Sequence, residues 1–100
     1  MLLATSDLRT DYEVLGMVQG SRVKAVHLGK DIVAGLRRLV GGEVTEYAQM
    51  IGDARETAVE EMIAEAENLG ANAIIGVRYA SSTVSQGVAE IVAYGTAVKI

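Results

Sequence analysis

The sequence predicts an α+β fold, in which a mainly antiparallel sheet packs on one long helix in the order strand, strand, helix, helix, strand, strand. Three observations carry this expectation. The stretch Ala54–Val77, ARETAVEEMIAEAENLGANAIIGV, reads as the last turns of an amphipathic helix, a glycine stop and an immediate buried strand. Two further segments, Glu13–Leu28 and Val88–Ile100, are rich in the residues that favour strands. A chain of 100 residues is one domain, residues 1–100, so these pieces share a core.

Taken in order, Leu2–Thr5 is a short strand and Ser6–Asp11 a polar turn. Glu13–Leu28 is a long strand, bent or bulged near Gly20–Ser21, or two strands around that turn. Asp31–Val40, DIVAGLRRLV, places Ile32, Leu36, Leu39 and Val40 at helical spacing, and Asp31 suits its N-terminus. Gly41-Gly42 ends that helix, and Val44–Leu69 forms the long one. Within it Tyr47, Ile51, Ala54, Ala58, Met62, Ala66 and Leu69 make a core-facing stripe. Glu46, Gln49, Asp53, Glu56, Glu60 and Glu67 make a solvated acidic back. Gly70 suits the left-handed closing position. Asn72–Tyr79 is then a strand, Ala80–Gly87 (ASSTVSQG) a polar hairpin loop, and Val88–Ile100 the last strand. Neither face of that last strand is strongly polar, so both are expected to be covered, one by the helix and the other by a neighbouring subunit.

Composition narrows the function classes. Half of the residues are hydrophobic but only 4% are aromatic, so the apolar content is mostly aliphatic. So small a chain either exposes part of that surface or buries it against another copy, and a homo-oligomer is the expectation. The net charge of −4 argues against nucleic acid, which demands clustered Lys and Arg. There is no cysteine, hence no disulfide, thiolate nucleophile or thiolate metal site. That composition suits the cytoplasm. The N-terminal residues do not resemble a signal peptide, and no apolar run approaches a bilayer span, so no membrane role is expected.

The segments DIVAGLRRLVGG, ENLGANAIIGVRY and AYGTAVKI together resemble the YbjQ-like family, a group of small bacterial and archaeal proteins. The resemblance runs from about Thr5 to Val98 and includes Gly16, Gly20, Asp31, Gly41, Gly42, Tyr47, Arg55, Leu69, Gly70, Ala71, Gly76, Gly95 and Thr96. It implies a dodecin-subunit-like α+β unit, assembly into rings of five, and the family's label of "putative heavy-metal-binding". Ala80 and Thr83 stand where relatives commonly carry acidic residues, and His27 where they often carry Asn.

The chemistry-bearing residues are few. His27, the only histidine, is the candidate metal ligand; with no cysteine, such a site needs copies of His27 brought together by an assembly. A hard cation bound by oxygen ligands in an assembly would have Asp7, Asp11 or Glu13 among its donors. Arg55 and Glu65 fall by helical position within the apolar stripe, and a buried charge must be paired, here with Glu90, Arg78 or the neighbouring chain. Arg55, Glu65 and Glu90 are therefore the ligand-binding candidates, with Arg55 suited to an anion or carboxylate. Arg37-Arg38 complement the end of their helix. Gly16-x-x-x-Gly20 lacks the Lys-Ser/Thr of a phosphate loop, and no nucleophile–base pairing emerges. The reading is a non-enzymatic, homo-oligomeric binding module, with a metal ion among the ligands to consider. The alternative is a structural or regulatory assembly that binds a protein partner through Ala80–Gly87 or the N-terminal segment.

Overall fold

A computed structural model of the protein describes residues 1–25, 45–85 and 88–100. Its elements are β1 (Leu2–Leu3), β2 (Glu13–Ala25), α1 (Thr45–Asn68), β3 (Ala73–Ser85) and β4 (Val88–Lys99). They form one four-stranded sheet in the order β1-β3-β4-β2, with α1 laid across one face. The long pairs β2–β4 and β3–β4 are antiparallel, while β1 pairs with β3 in parallel. The α+β reading therefore holds, with a mixed edge. The expected helix at Asp31–Val40 and His27 lie outside the described residues.

β4 is the central strand, and its alternation is the clearest signal in the fold. Ala89, Ile91, Ala93, Gly95 and Ala97 are buried towards α1, while Val88, Glu90, Val92, Tyr94 and Thr96 point the other way and stay partly accessible. The helix answers with Ala54, Ala58, Met62 and Ala66, all fully buried, one residue every four. Val18, Ile74, Val77, Ile91, Ala93 and Ala97 complete that core, flanked by Leu15, Ile51, Val59 and Ile63. The predicted stripe is present from Ile51 to Ala66, Leu69 at its end is exposed, and the side chain of Tyr47 lies outside the described ones.

Small residues let the two layers approach closely. Gly20 of β2 lies directly beneath α1: a Cβ there would sit 1.8 Å from the Ala58 carbonyl oxygen and 2.7 Å from the Met62 nitrogen. This corrects the expectation of a bend or bulge at Gly20–Ser21. β2 runs through that point unbroken, and its irregularity falls instead between Val14 and Gly16. Glycine is required at residue 20 by helix backbone above it, not by a change of strand direction.

The junction after α1 follows the sequence reading. Gly70 adopts φ +84°, the Gly70 N–H donates to the Glu67 carbonyl at 2.9 Å, and the Ala71 N–H donates to the Ala66 carbonyl at 3.0 Å. That is the paired bonding of a Schellman stop. Asn72 then clamps the far end of β4, donating to the Ile100 carbonyl and accepting from the Ile100 N–H. β3 carries a bulge between Ile75 and Arg78, where Gly76 takes φ +62°.

The Ala80–Gly87 loop is a second correction. β3 continues to Ser85, and Ser81, Ser82 and Thr83 pair with Ile91, Glu90 and Ala89. β3 ends at Ser85 and β4 begins at Val88, and the two strands stay paired to those positions. Polar composition there marks an exposed stretch of strand, not a loop.

On the face away from α1, Leu8 and Tyr12 from the segment after β1 cover Ala73, Ile75 and Val98. The Tyr12 hydroxyl and the Leu8 N–H both donate to Asp7 Oδ1, fastening that segment. Beyond this cover the face is open: Met17 is 73% and Val23 55% exposed, with Tyr94 between them in the sheet.

Candidate functional site

Two clefts lie along β3, one on each side of Tyr79. Tyr79 is opposite Ala93 and so projects on the helix side of the sheet. There the Arg55 guanidinium stands over its ring, 5.5 Å from the centroid. Arg55, Glu56, Val59, Glu60 and Tyr79 line an open cleft of about 480 Å3. Glu56 and Glu60 are one turn apart on α1, so both carboxylates border the same groove.

A second groove of about 370 Å3 opens where β1 stops and β3 carries on. Leu3, Ala4, Thr5, Val77, Arg78 and Tyr79 line it. Arg78 belongs to the opposite face from Tyr79, and its Nη1 donates to the carbonyls of Thr5 at 2.7 Å and Val77 at 2.8 Å. These bonds aim the guanidinium along the sheet edge and pin the chain leaving β1.

The placement of the predicted site residues is largely a correction. Arg55 and Glu65 are exposed, not buried in the stripe, and among the described residues no polar or charged side chain is buried. The sheet contact follows the row Ala54, Ala58, Met62, Ala66, and Arg55, one residue and roughly 100° further round, falls outside it. Glu65 lies ten residues beyond Arg55, about 15 Å along the axis. Glu90 is half-buried on the sheet face away from α1, opposite Val23 and Ser82. The three candidates therefore do not converge, and of them Arg55 borders the cleft beside Tyr79. Its partner is an aromatic ring rather than Glu90 or Arg78. Sequence reasoning passed over Tyr79, since a residue 24 positions away on another element leaves no periodic signal.

Among the described residues the one ion pair is Arg22–Glu61, at 3.9 Å, and Glu61 also accepts from the Ser21 N–H at 3.2 Å. Asp7 is held below its ordinary carboxylate range, first by the Tyr12 hydroxyl and then by the Leu8 N–H. The same bond raises Tyr12 above the usual phenol range. No three His, Cys, Asp or Glu side chains gather among the described residues of one chain. A heavy-metal centre built from one chain also lacks its donors, with no cysteine and a single histidine. No helix among the described residues is long and apolar enough to cross a membrane.

Comparison with known proteins agrees with this architecture. The family model described as "Putative heavy-metal-binding", of the YbjQ type, matches residues 1–100. A UPF0145 protein of Methanosarcina acetivorans is 52% identical over 103 residues, covering 100% of this chain and 97% of the relative. A UPF0145 protein of Thermus thermophilus is 58% identical over 88 residues, covering 88% and 77%. A crystal structure of a protein of unknown function from Pediococcus pentosaceus, assigned to the DUF74 family, superposes with a TM-score of 0.68 at 18% identity. It covers 100% of this chain and 97% of its own, a likeness of fold alone. With the whole length matched and relatives above half identity, the chain belongs to the YbjQ-like family.

Proposed function

We propose that the protein is a non-enzymatic, homo-oligomeric binding module that holds its ligand in clefts beside β3. The observation that carries this reading is the set of exposed apolar side chains on the open face of the sheet, which they share with Glu90, Ser82 and Arg78. Met17, Val23 and Tyr94 stand exposed on a surface flanked by half-buried Val88 and Val92, a face that gains most by meeting another copy. We favour holding over chemistry because the cleft is open and its arginine, standing over a tyrosine beside two glutamates, is suited to orienting a charged ligand.

A dodecin-like ring is the assembly we favour, and five is the subunit number the family resemblance suggests. The ligand class to test first is a metal ion, because of the family's description. One chain does not carry the donors, so the metal version requires groups from several copies, His27 among them. The acidic balance argues against nucleic acid, and the cysteine-free composition suits the cytoplasm.

Native mass spectrometry of the untagged protein, with and without Zn, Cu and Ca, tests the reading. A ring of fixed size with stoichiometric metal supports both assembly and metal binding. A ring that ignores the metals keeps the assembly and removes the metal. A monomer refutes the proposal.

A further inference from the structure

The sheet has two unlike edges and both are open among the described residues. β2 forms one edge along Glu13–Ala25. β3 forms the other beyond the point where β1 ends. The Val77 N–H points outward to the Ala4 carbonyl at 3.0 Å, the last bond on that side. Strand alternation then turns the N–H and C=O groups of Tyr79, Ser81 and Thr83 outward as well. Unpaired strand edges of this length are templates for adding another strand.

We infer that the β3 edge Tyr79–Ser85 receives β2 of a second copy, which supplies the missing wall of the Arg55–Tyr79 cleft. The inference rests on the homo-oligomer reading and specifies its contact. A two-fold pairing of either edge with itself leaves the other edge bare, whereas one head-to-tail contact covers both. Direction also fits. β2 and β3 each run antiparallel to β4, so they are parallel to one another, and a rotated copy offers β2 parallel to β3 with its helix on the same side. Charge fits too. On that side the incoming strand carries Arg22, 45% exposed and 3.9 Å from Glu61 of its own chain, while the cleft it closes carries Glu56 and Glu60. The exposed Met17 and Val23 on the other side come to lie beside the β3 arm, which shields apolar surface that the single chain leaves in water.

The absence of native cysteine makes cross-linking a clean test. Within one chain Ser82 and Val23 are both paired with Glu90, two strand spacings or about 9.6 Å apart, beyond disulfide reach. Ser82→Cys protein is mixed under mild oxidant with each of Met17→Cys, Gln19→Cys, Ser21→Cys and Val23→Cys, after circular dichroism confirms that each variant is folded. A disulfide-linked pair of unlike chains with at least one of the four, and none from Ser82→Cys alone, is the expected result. Placing both cysteines of that pair in one chain should then give a ladder ending in a closed covalent ring. Self-linked Ser82→Cys overturns the head-to-tail contact in favour of a two-fold one. An oligomeric parent with no mixed disulfide places the interface elsewhere and overturns this inference alone. A monomeric parent removes the oligomer reading with it.

Discussion

Replacing Gly20 with alanine is the sharpest test of how the helix sits on the sheet. The added methyl would lie 1.8 Å from the Ala58 carbonyl oxygen, and ordinary van der Waals contact begins near 3.4 Å, so about 1.6 Å of separation must be found. The obstacle is helix backbone, which cannot rotate away as a side chain would. α1 must lift, taking fully buried Ala54, Ala58, Met62 and Ala66 with it. Overpacking costs about 1–3 kcal/mol in general, and a backbone obstacle puts this site at the upper end. Against that, alanine returns under about 1 kcal/mol by reducing the freedom of the unfolded chain. The net loss should be about 2–3 kcal/mol, a fall in Tm of roughly 8–24 °C for a domain of this size. Thermal unfolding followed by circular dichroism, at matched chain concentration, reads it directly. A variant melting within about 4 °C of the parent, under about 1 kcal/mol, would refute the close approach.

Three further outcomes follow from the same geometry. Gly52→Ala should raise stability by about 1 kcal/mol, since residue 52 lies inside α1 with nothing within 4 Å of the added Cβ; an unchanged or lower Tm contradicts it. Arg55→Ala should cost no more than about 1 kcal/mol in urea unfolding, the scale of an exposed cation–π contact; a loss of several kcal/mol would restore the buried-pair expectation. The Asp7–Tyr12 bond should make stability fall at both ends of the pH scale. Asp7 is lowered on folding, so its contribution is present above its unfolded value near 3.8 and lost as pH drops through the folded one. Tyr12 is raised, so its contribution is present below about 10 and lost as pH climbs through the folded value. Tyr12→Phe should flatten both limbs, and unfolding measured across pH with parent-like limbs in that variant would rule the bond out.

The elements that were legible in the sequence are those with a long, regular signal. α1 repeats its buried row from Ala54 to Ala66 within a 24-residue helix, and β4 alternates over 12 residues, so both are legible from spacing alone. The Gly70 stop was legible because only glycine takes its conformation cheaply. Three things were not. The stripe on α1 was read too wide, because a helix of alanines resting on a glycine needs only a narrow row of contact, and Arg55 and Glu65 were swept into it. Serine and threonine at Ser81–Thr83 look like loop, although a hairpin arm reaching past the core keeps strand pairing with little apolar content. The cleft at Tyr79 joins residues far apart in the chain, and no spacing rule connects them.

The central position of β4 also has a consequence for synthesis. β2 and β3 touch each other only through β4, which follows them in the chain, and Glu13 finds its register with Lys99. A ribosome adding about 5–20 residues per second delivers that strand several seconds after β2 has emerged. Until then Val14, Met17, Val18 and Val23 have no sheet to join. The nascent chain can wind α1 early, but it cannot assemble the sheet gradually. The period of greatest exposure to misassociation therefore comes before the central strand arrives.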